Sequence, residues 1–535
     1  MKKLISVVRS TITAPLLWCA GLWALFVLAV LCLRPLITTI ETRAMTVAWE
    51  MFTTKNFIVP TLNFIPYTQK PPLLAWLINL GWNIVGTHRF IATAIVSFFS
   101  FGCVALTAAL AQSWWPKSTQ RRHHAIWLCF GAAIFHLYGT VIFYDFILCF
   151  FVLAALFMLW QASLGKLHFF LWFGVCIGFG ALTKGPVILV HVLPVALLAP
   201  VWITERKISW VRWYLSVIGA VIMGAVMALA WAIPAAVTGG ENYGRWILLQ
   251  QTTHRIFKAF DHEKPWWHYF AVTPILFIPW IFYPKVWQRL SVLRYFKSES
   301  PTRFLLCWIV STFILFSLIS GKQLHYILPL WAAFALLVAR LLDHIEPGEK
   351  DFKITFVPFF LFSLVWLGLT VLIRFKLHQL PPFLGDFING HFTLPFLYLA
   401  GISILFSVAY RHQVILPILC MCMVLTMLMA HIASPKGWDR FSTEGISQII
   451  AQHPHGQLAV VSSRYQGDIN YLLHLTQPVT VIPPDNHDQI NAFLKTNPKS
   501  LVLIQVRSRD ELKDYRILAI KPARAKRYYA LISRK

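Results

Sequence analysis

Six ionisable residues in an otherwise apolar chain could do chemistry: the cations Lys70, Lys184, Arg255 and Lys322, and the carboxylates Glu41 and Asp145. An Arg guanidinium can grip a phosphate with two parallel hydrogen bonds, and a Lys ammonium serves as a compact point charge beside it. A carboxylate can accept a proton or hold a divalent cation. Together they describe a site for a lipid-linked phosphate from which a group is transferred. Taken singly, each reads more readily as a snorkelling side chain or a member of a structural ion pair. Only their gathering on one face makes them a site, and that depends on the elements that carry them.

Of the 535 residues, 58% are hydrophobic and 13% charged, with a mean hydropathy of +0.63. An ordinary soluble domain is roughly half apolar and a quarter charged. The sequence predicts a polytopic α-helical membrane protein. Windows long enough to cross hydrocarbon fall near 14–33, 90–111, 123–140, 143–162, 168–183, 186–204, 214–237, 267–284, 303–320, 324–342, 354–373, 393–410 and 413–432, about thirteen spans. Basic residues favour the cytoplasmic loops. Lys2, Lys3 and Arg9, then Lys117, Arg121 and Arg122, then Lys166, then Arg206, Lys207 and Arg212, and the run from Lys285 to Arg303 all fall on one side. That places the N-terminus inside, the first span uncleaved, and residues 433–535 on the outer face, in a bacterium the periplasm.

The expected organisation is a membrane domain over 1–432 and a small α/β domain over 433–535, where helical patterns alternate with short β-rich runs. The nine cysteines all lie in predicted spans, which argues against a structural disulfide. The net charge of +26 is accounted for by the cytoplasmic loops and the basic tail, so nucleic acid is not an expected partner and membrane lipids are. No Gly-rich phosphate loop, Walker-type sequence or Cys/His cluster supports ATP-driven transport.

The outer loop 34–89 is the informative segment. Its 44–58 stretch reads as an amphipathic interfacial helix, 73–86 as a second apolar helix too short to span, and between them Tyr67-Thr68-Gln69-Lys70-Pro71-Pro72 forms a proline-locked basic turn. On this topology Glu41, Lys70, Asp145, Lys184, His254, Arg255, Lys322, His325 and Tyr326 all fall at the outer rim. Ionisable groups there line a wet cavity or pair with one another.

Glu41-Thr42-Arg43, Glu50-Met51, Phe57-Ile58-Val59-Pro60, Asn63, Tyr67 and Lys70-Pro71-Pro72-Leu73 resemble the first outer loop of the lipid A aminoarabinose transferases, which belong with the protein O-mannosyltransferases among the GT-C glycosyltransferases. Further matches are Asp145, Leu182-Thr183-Lys184-Gly185, His254-Arg255-Ile256-Phe257 with Pro265-Trp266, Pro279-Trp280, and Gly321-Lys322 before Tyr326-Ile327-Leu328-Pro329. The resemblance runs in order through the membrane part.

It implies a GT-C-like fold and an inverting transfer of a sugar from a polyprenyl-phosphate carrier to an outer-leaflet lipid, glycan or protein at the inner membrane. Lys70, Arg255 and Lys184 would stabilise the leaving phosphate, with Lys322 near them and Tyr67 and Tyr326 as hydrogen-bond donors. Glu41 and Asp145 would be the catalytic acids. No redox cofactor is needed; if a divalent metal ion takes part, Glu41, Asp145 and His254 are the candidate ligands. Two positions depart from the family pattern: Ile40 stands where an Asp precedes Glu41, and Gln69 where a Glu precedes Lys70. A lipid-linked sugar transporter and a non-catalytic lipid-glycan-binding homologue therefore stay open beside the transferase.

Overall fold

Helices occupy the apolar windows because in hydrocarbon every backbone N–H and C=O must be satisfied within its own segment. The computed structural model describes residues 13–250, 263–290, 299–343, 346–374, 393–433, 438–453, 456–484, 486–497, 499–524 and 527–535. Among these, seven helices are long and apolar enough to cross a membrane: Ala14–Leu33, Arg89–Trp114, Asp145–Ser163, Trp210–Thr238, Ser300–Leu318, Glu349–Leu372 and Thr393–His412. Shorter apolar helices, including Phe169–Lys184, Ile188–Leu197 and Leu330–Leu341, complete the bundle.

Several expected spans are broken, and proline accounts for most of the breaks. The 267–284 window becomes a helix at His268–Leu276, a 3-10 turn at Trp280–Phe282 and a helix at Pro284–Arg289, since Pro279 and Pro284 lack the N–H that would continue the ladder. The 123–140 window splits into Thr119–Phe130 and Ala133–Tyr138. The backbone groups freed by these breaks are taken up by neighbours. Ala133 N–H donates to Ile278 O at 2.8 Å, Trp280 Nε1 to Leu128 O at 2.7 Å and Trp331 Nε1 to Cys129 O at 2.8 Å. Irregular backbone survives at membrane depth only where protein supplies such partners.

Helix 169–184, which ends on Lys184, is positioned by close backbone contact with helix 210–238. A Cβ on Gly174 would sit 2.7 Å from Ala220 O, and one on Gly224 would sit 2.5 Å from the Ile177 side chain. Small residues let membrane helices approach in this way. Gly174→Val is expected to force the pair apart and lower stability by about 1–3 kcal/mol, read as a fall in the thermal midpoint in detergent; an unchanged midpoint would show that the helices can part freely.

The tail forms a five-stranded sheet. Its strands, numbered after the two-stranded hairpin β1 (Thr61–Leu62) and β2 (Ile65–Pro66), are β3 (Leu458–Val461), β4 (Thr480–Ile482), β5 (Leu501–Val506), β6 (Arg516–Pro522) and β7 (Tyr528–Ser533), in the order β4-β3-β5-β7-β6. β3 runs parallel to β4 and β5, and β7 antiparallel to β5 and β6. Helices Glu444–Gln452 and His487–Thr496 turn Ile446, Ile450, Ile490 and Leu494 into its two apolar layers.

This sheet stands on the first outer loop. Leu36 N–H and Arg89 both bond the Glu444 carboxylate, at 2.8 and 2.7 Å. Thr46 donates to Gly467 O at 2.7 Å, Trp49 to Leu475 O at 2.8 Å and Tyr471 to Thr87 O at 3.2 Å. Helix Glu41–Thr54 is therefore covered by the tail, with ten of its residues buried. From Arg89 beside the tail, a 26-residue helix runs to Trp114, roughly 39 Å at 1.5 Å per residue. At that far end Trp115, Arg121, Leu164, Glu205 and Glu299 line one cavity of about 390 Å³. Among the described residues, the segments carrying Arg121 and Lys207 thus meet at the end opposite the tail.

Candidate functional site

Lys70, Asp145, Lys184 and Tyr326 come together from four separate segments. Asp145 opens helix 145–163 and Lys184 closes helix 169–184, and their side chains meet at 2.5 Å with both buried. Lys184 also lies over the Tyr326 ring, 4.8 Å from its centre, and Lys70 over Tyr144 at 5.7 Å. His325 packs edge-on against Tyr326 at 4.9 Å and Phe143 at 5.5 Å, and it and Lys70 lie within electrostatic range of Asp145. Tyr67 is buried near Tyr144 and its hydroxyl donates to Gln69 Oε1 at 3.5 Å. Asp145 Oδ2 is buried, with no donor among the described residues upon it.

The hairpin that precedes the Lys70 turn is braced by Glu50. Asn63 and Phe64 both have positive φ, 55° and 61°, the two-residue loop that matches the twist of a β-hairpin. The buried Glu50 carboxylate accepts from Asn63 N–H and Phe64 N–H, each at 2.8 Å, and from the Thr61 hydroxyl at 2.7 Å. Burial pushes its carboxyl above the ordinary range, against these hydrogen bonds, which pull it down. The Asn63 amide ties the hairpin to the tail through Val479 O at 3.1 Å and Asn470 at 3.2 Å. Glu50 and Asn63 carry the sequence resemblance, but their spacing gave no hint of this bracing role. Tyr144, which sits under Lys70, could have been inferred from its adjacency to Asp145.

Glu41 lies elsewhere. Its carboxylate is fully buried and takes both nitrogens of Arg34, at 2.8 and 2.9 Å, with Ile37 N–H and Ile142 N–H each at 2.8 Å. Arg43, two residues on, bonds Gln466 at 2.9 Å and not Glu41. A one-residue change of position turns a helical side chain by about 100°, so Glu41 points into the loop's own packing. Four donors leave that carboxylate no lone pair for a metal. Glu41 and Asp145 share no partner, and no group of three metal-ligand side chains occurs among the described residues. A divalent ion held by Glu41 and Asp145 does not fit this arrangement. Lys322 is held by main-chain oxygens: its Nζ donates to Lys264 O at 3.1 Å and Ile319 O at 2.5 Å. His254 and Arg255 lie outside the described residues.

No family model matches the chain. It is 30% identical over 320 residues to the undecaprenyl phosphate-alpha-4-amino-4-deoxy-L-arabinose arabinosyl transferase of Pectobacterium carotovorum, covering 58% of this chain and 56% of that one. The Aeromonas hydrophila protein of the same name is 28% identical over 366 residues, 64% of this chain and 63% of that one. The chain thus spans less than two thirds of the length of these curated relatives. Among solved structures, ArnT from Cupriavidus metallidurans bound to undecaprenyl phosphate superposes with a TM-score of 0.76 over 96% of this chain and 97% of that one, at 17% identity. Its apo state gives 0.74. At that identity the likeness shows the fold. The chain is therefore similar in sequence to the aminoarabinose transferases over about three fifths of its length, and across nearly all of it has their GT-C membrane fold.

Proposed function

We propose that this protein is a glycosyltransferase of the bacterial inner membrane, moving a sugar from a polyprenyl-phosphate carrier to an acceptor on the outer face: lipid A, another glycolipid, a glycan or a protein. The observation that carries this reading is the meeting of Lys70, the Asp145–Lys184 pair and Tyr326 on one patch. The relatives' name specifies an undecaprenyl phosphate-linked sugar donor. In the reaction the bond from the sugar C1 to the carrier phosphate breaks, the phosphate oxygen keeps the electron pair, and an acceptor oxygen bonds C1 from the opposite face. Lys70 and Lys184 would stabilise the charge growing on the leaving phosphate; Arg255 and Lys322 remain expected contributors from the sequence. An anionic phosphate acceptor needs no base, whereas a hydroxyl acceptor gives up a proton, which the released carrier phosphate can take. Because four donors occupy Glu41, a carrier-binding protein without transfer is the second reading.

One experiment separates the two. Purified protein incubated with lipid extract is expected to release free polyprenyl phosphate while a glycan mass appears on an acceptor, both read by mass spectrometry. Lys70→Ala should weaken carrier binding by about 10- to 100-fold, from the roughly 1.5–3 kcal/mol carried by a hydrogen bond to a charged group. Carrier binding without release would favour the second reading.

A further inference from the structure

A second crevice lies in the tail, walled in part by Thr38 and Thr39 of the first outer loop. It has a volume of about 580 Å³, within the range typical of small-molecule sites, roughly 300–1,000 Å³. It opens where β3, β4 and β5 end: its walls are the segment after Val461, the turn with Pro484 and His487 after β4, and the end of β5 with Arg507. β3 is flanked by a parallel strand on each side. The crevice outside the carboxyl ends of parallel strands at such a point is where open α/β sheets bind ligands.

Its lining is strongly basic. Arg464, Arg507, Arg524 and Arg527 contribute guanidiniums, and Tyr465 and Tyr529 contribute rings. The two acids in the wall are occupied by local donors. Asp468 accepts from the Thr39 and Thr42 hydroxyls at 3.2 and 3.4 Å, and burial pushes its carboxyl up. Glu511 accepts from Arg507 N–H and Ser508 N–H, both at 3.0 Å. Arg524 reaches Thr38 O at 3.2 Å, so the first outer loop forms part of the same wall. Thr39 there holds a φ of 70°, a strained conformation for a β-branched residue and one that recurs at ligand clamps.

We propose that this crevice binds a phosphate monoester carried on a sugar, with the phosphate held among the guanidiniums and the sugar against the two tyrosine rings. Arginine suits phosphate because its planar fork matches two oxygens at once. The same group could come from a soluble sugar phosphate or from the headgroup of a phosphorylated glycolipid. The assignment needs neither Lys70 nor the transfer reaction.

Full-length protein in nanodiscs of zwitterionic lipid, titrated with glucose 1-phosphate in a calorimeter, tests this. Saturable binding is expected, weakened about tenfold or more in Arg507→Gln/Arg527→Gln, weakened again by salt, and unchanged in Lys70→Ala. Ser463→Asp, which adds a negative charge to the exposed rim, provides a second variant should the double one unfold; it is expected to lose binding at an unchanged thermal midpoint. Nanodiscs carrying a phosphorylated glycolipid separate the sources: competition with glucose 1-phosphate identifies the lipid headgroup, and undiminished binding identifies a soluble ligand. No saturable binding up to about 10 mM, or equal affinity in wild type and the folded variants, would overturn the proposal.

Discussion

Asp145→Asn is expected to cost stability and carrier binding together. Lys184 Nζ meets Asp145 Oδ1 at 2.5 Å with both side chains buried, and removing one partner of such a pair leaves an uncompensated charge worth about 3–5 kcal/mol. The thermal midpoint of the purified protein should fall accordingly, and Lys184→Met should do the same. The informative variant is the double, Asp145→Leu/Lys184→Met. Replacing both charges by apolar groups is often neutral or stabilising, so the fold should largely recover. If Lys184 contacts the carrier phosphate, binding of polyprenyl phosphate will not recover with it. A double variant that is stable and still binds carrier normally would reduce the pair to a structural strut.

Glu41→Gln is the second large effect, and here the structure reverses the expectation drawn from the sequence. A catalytic Glu41 would lose turnover at full stability. With Arg34, Ile37 N–H and Ile142 N–H all on the carboxylate, the change instead strands a buried guanidinium and places an amide donor against backbone N–H groups. A loss of about 3–5 kcal/mol is expected, seen as a lower melting temperature, with turnover per folded molecule retained. Dead enzyme that melts like wild type would return Glu41 to the reacting groups.

The family departures bear on the same point. Ile40 and Gln69 stand where the related pattern has acids, and Gln69 Oε1 accepts from Tyr67 rather than presenting a charge. Of the expected acids among the described residues, only Asp145 reaches the Lys70 patch.

The sequence by itself determined the membrane class, the positions of most helices and the presence of β-rich runs in the tail, because hydropathy and side-chain period are local properties of the chain. It also marked Lys70, Asp145 and Lys184, since charge beside hydrocarbon is costly enough to stand out, while Tyr67 and Tyr326 were marked by the family resemblance. Only the tertiary structure decided which cation faces which acid. Lys184 and Asp145 are 39 positions apart, and whether such residues meet depends on helix rotation and on backbone approach at Gly174 and Gly224. Spans with prolines or a Gly-Ala break looked continuous in hydropathy, because a window average does not register a missing N–H. Glu50 and Asn63 lie 13 positions apart and bond a tail residue, Asn470, more than 400 positions away. No local pattern encodes a hydrogen-bond network assembled from such distant segments, which is why the brace of the hairpin before Lys70 and the basic crevice shared by the tail and the first loop became legible only once the chain was folded.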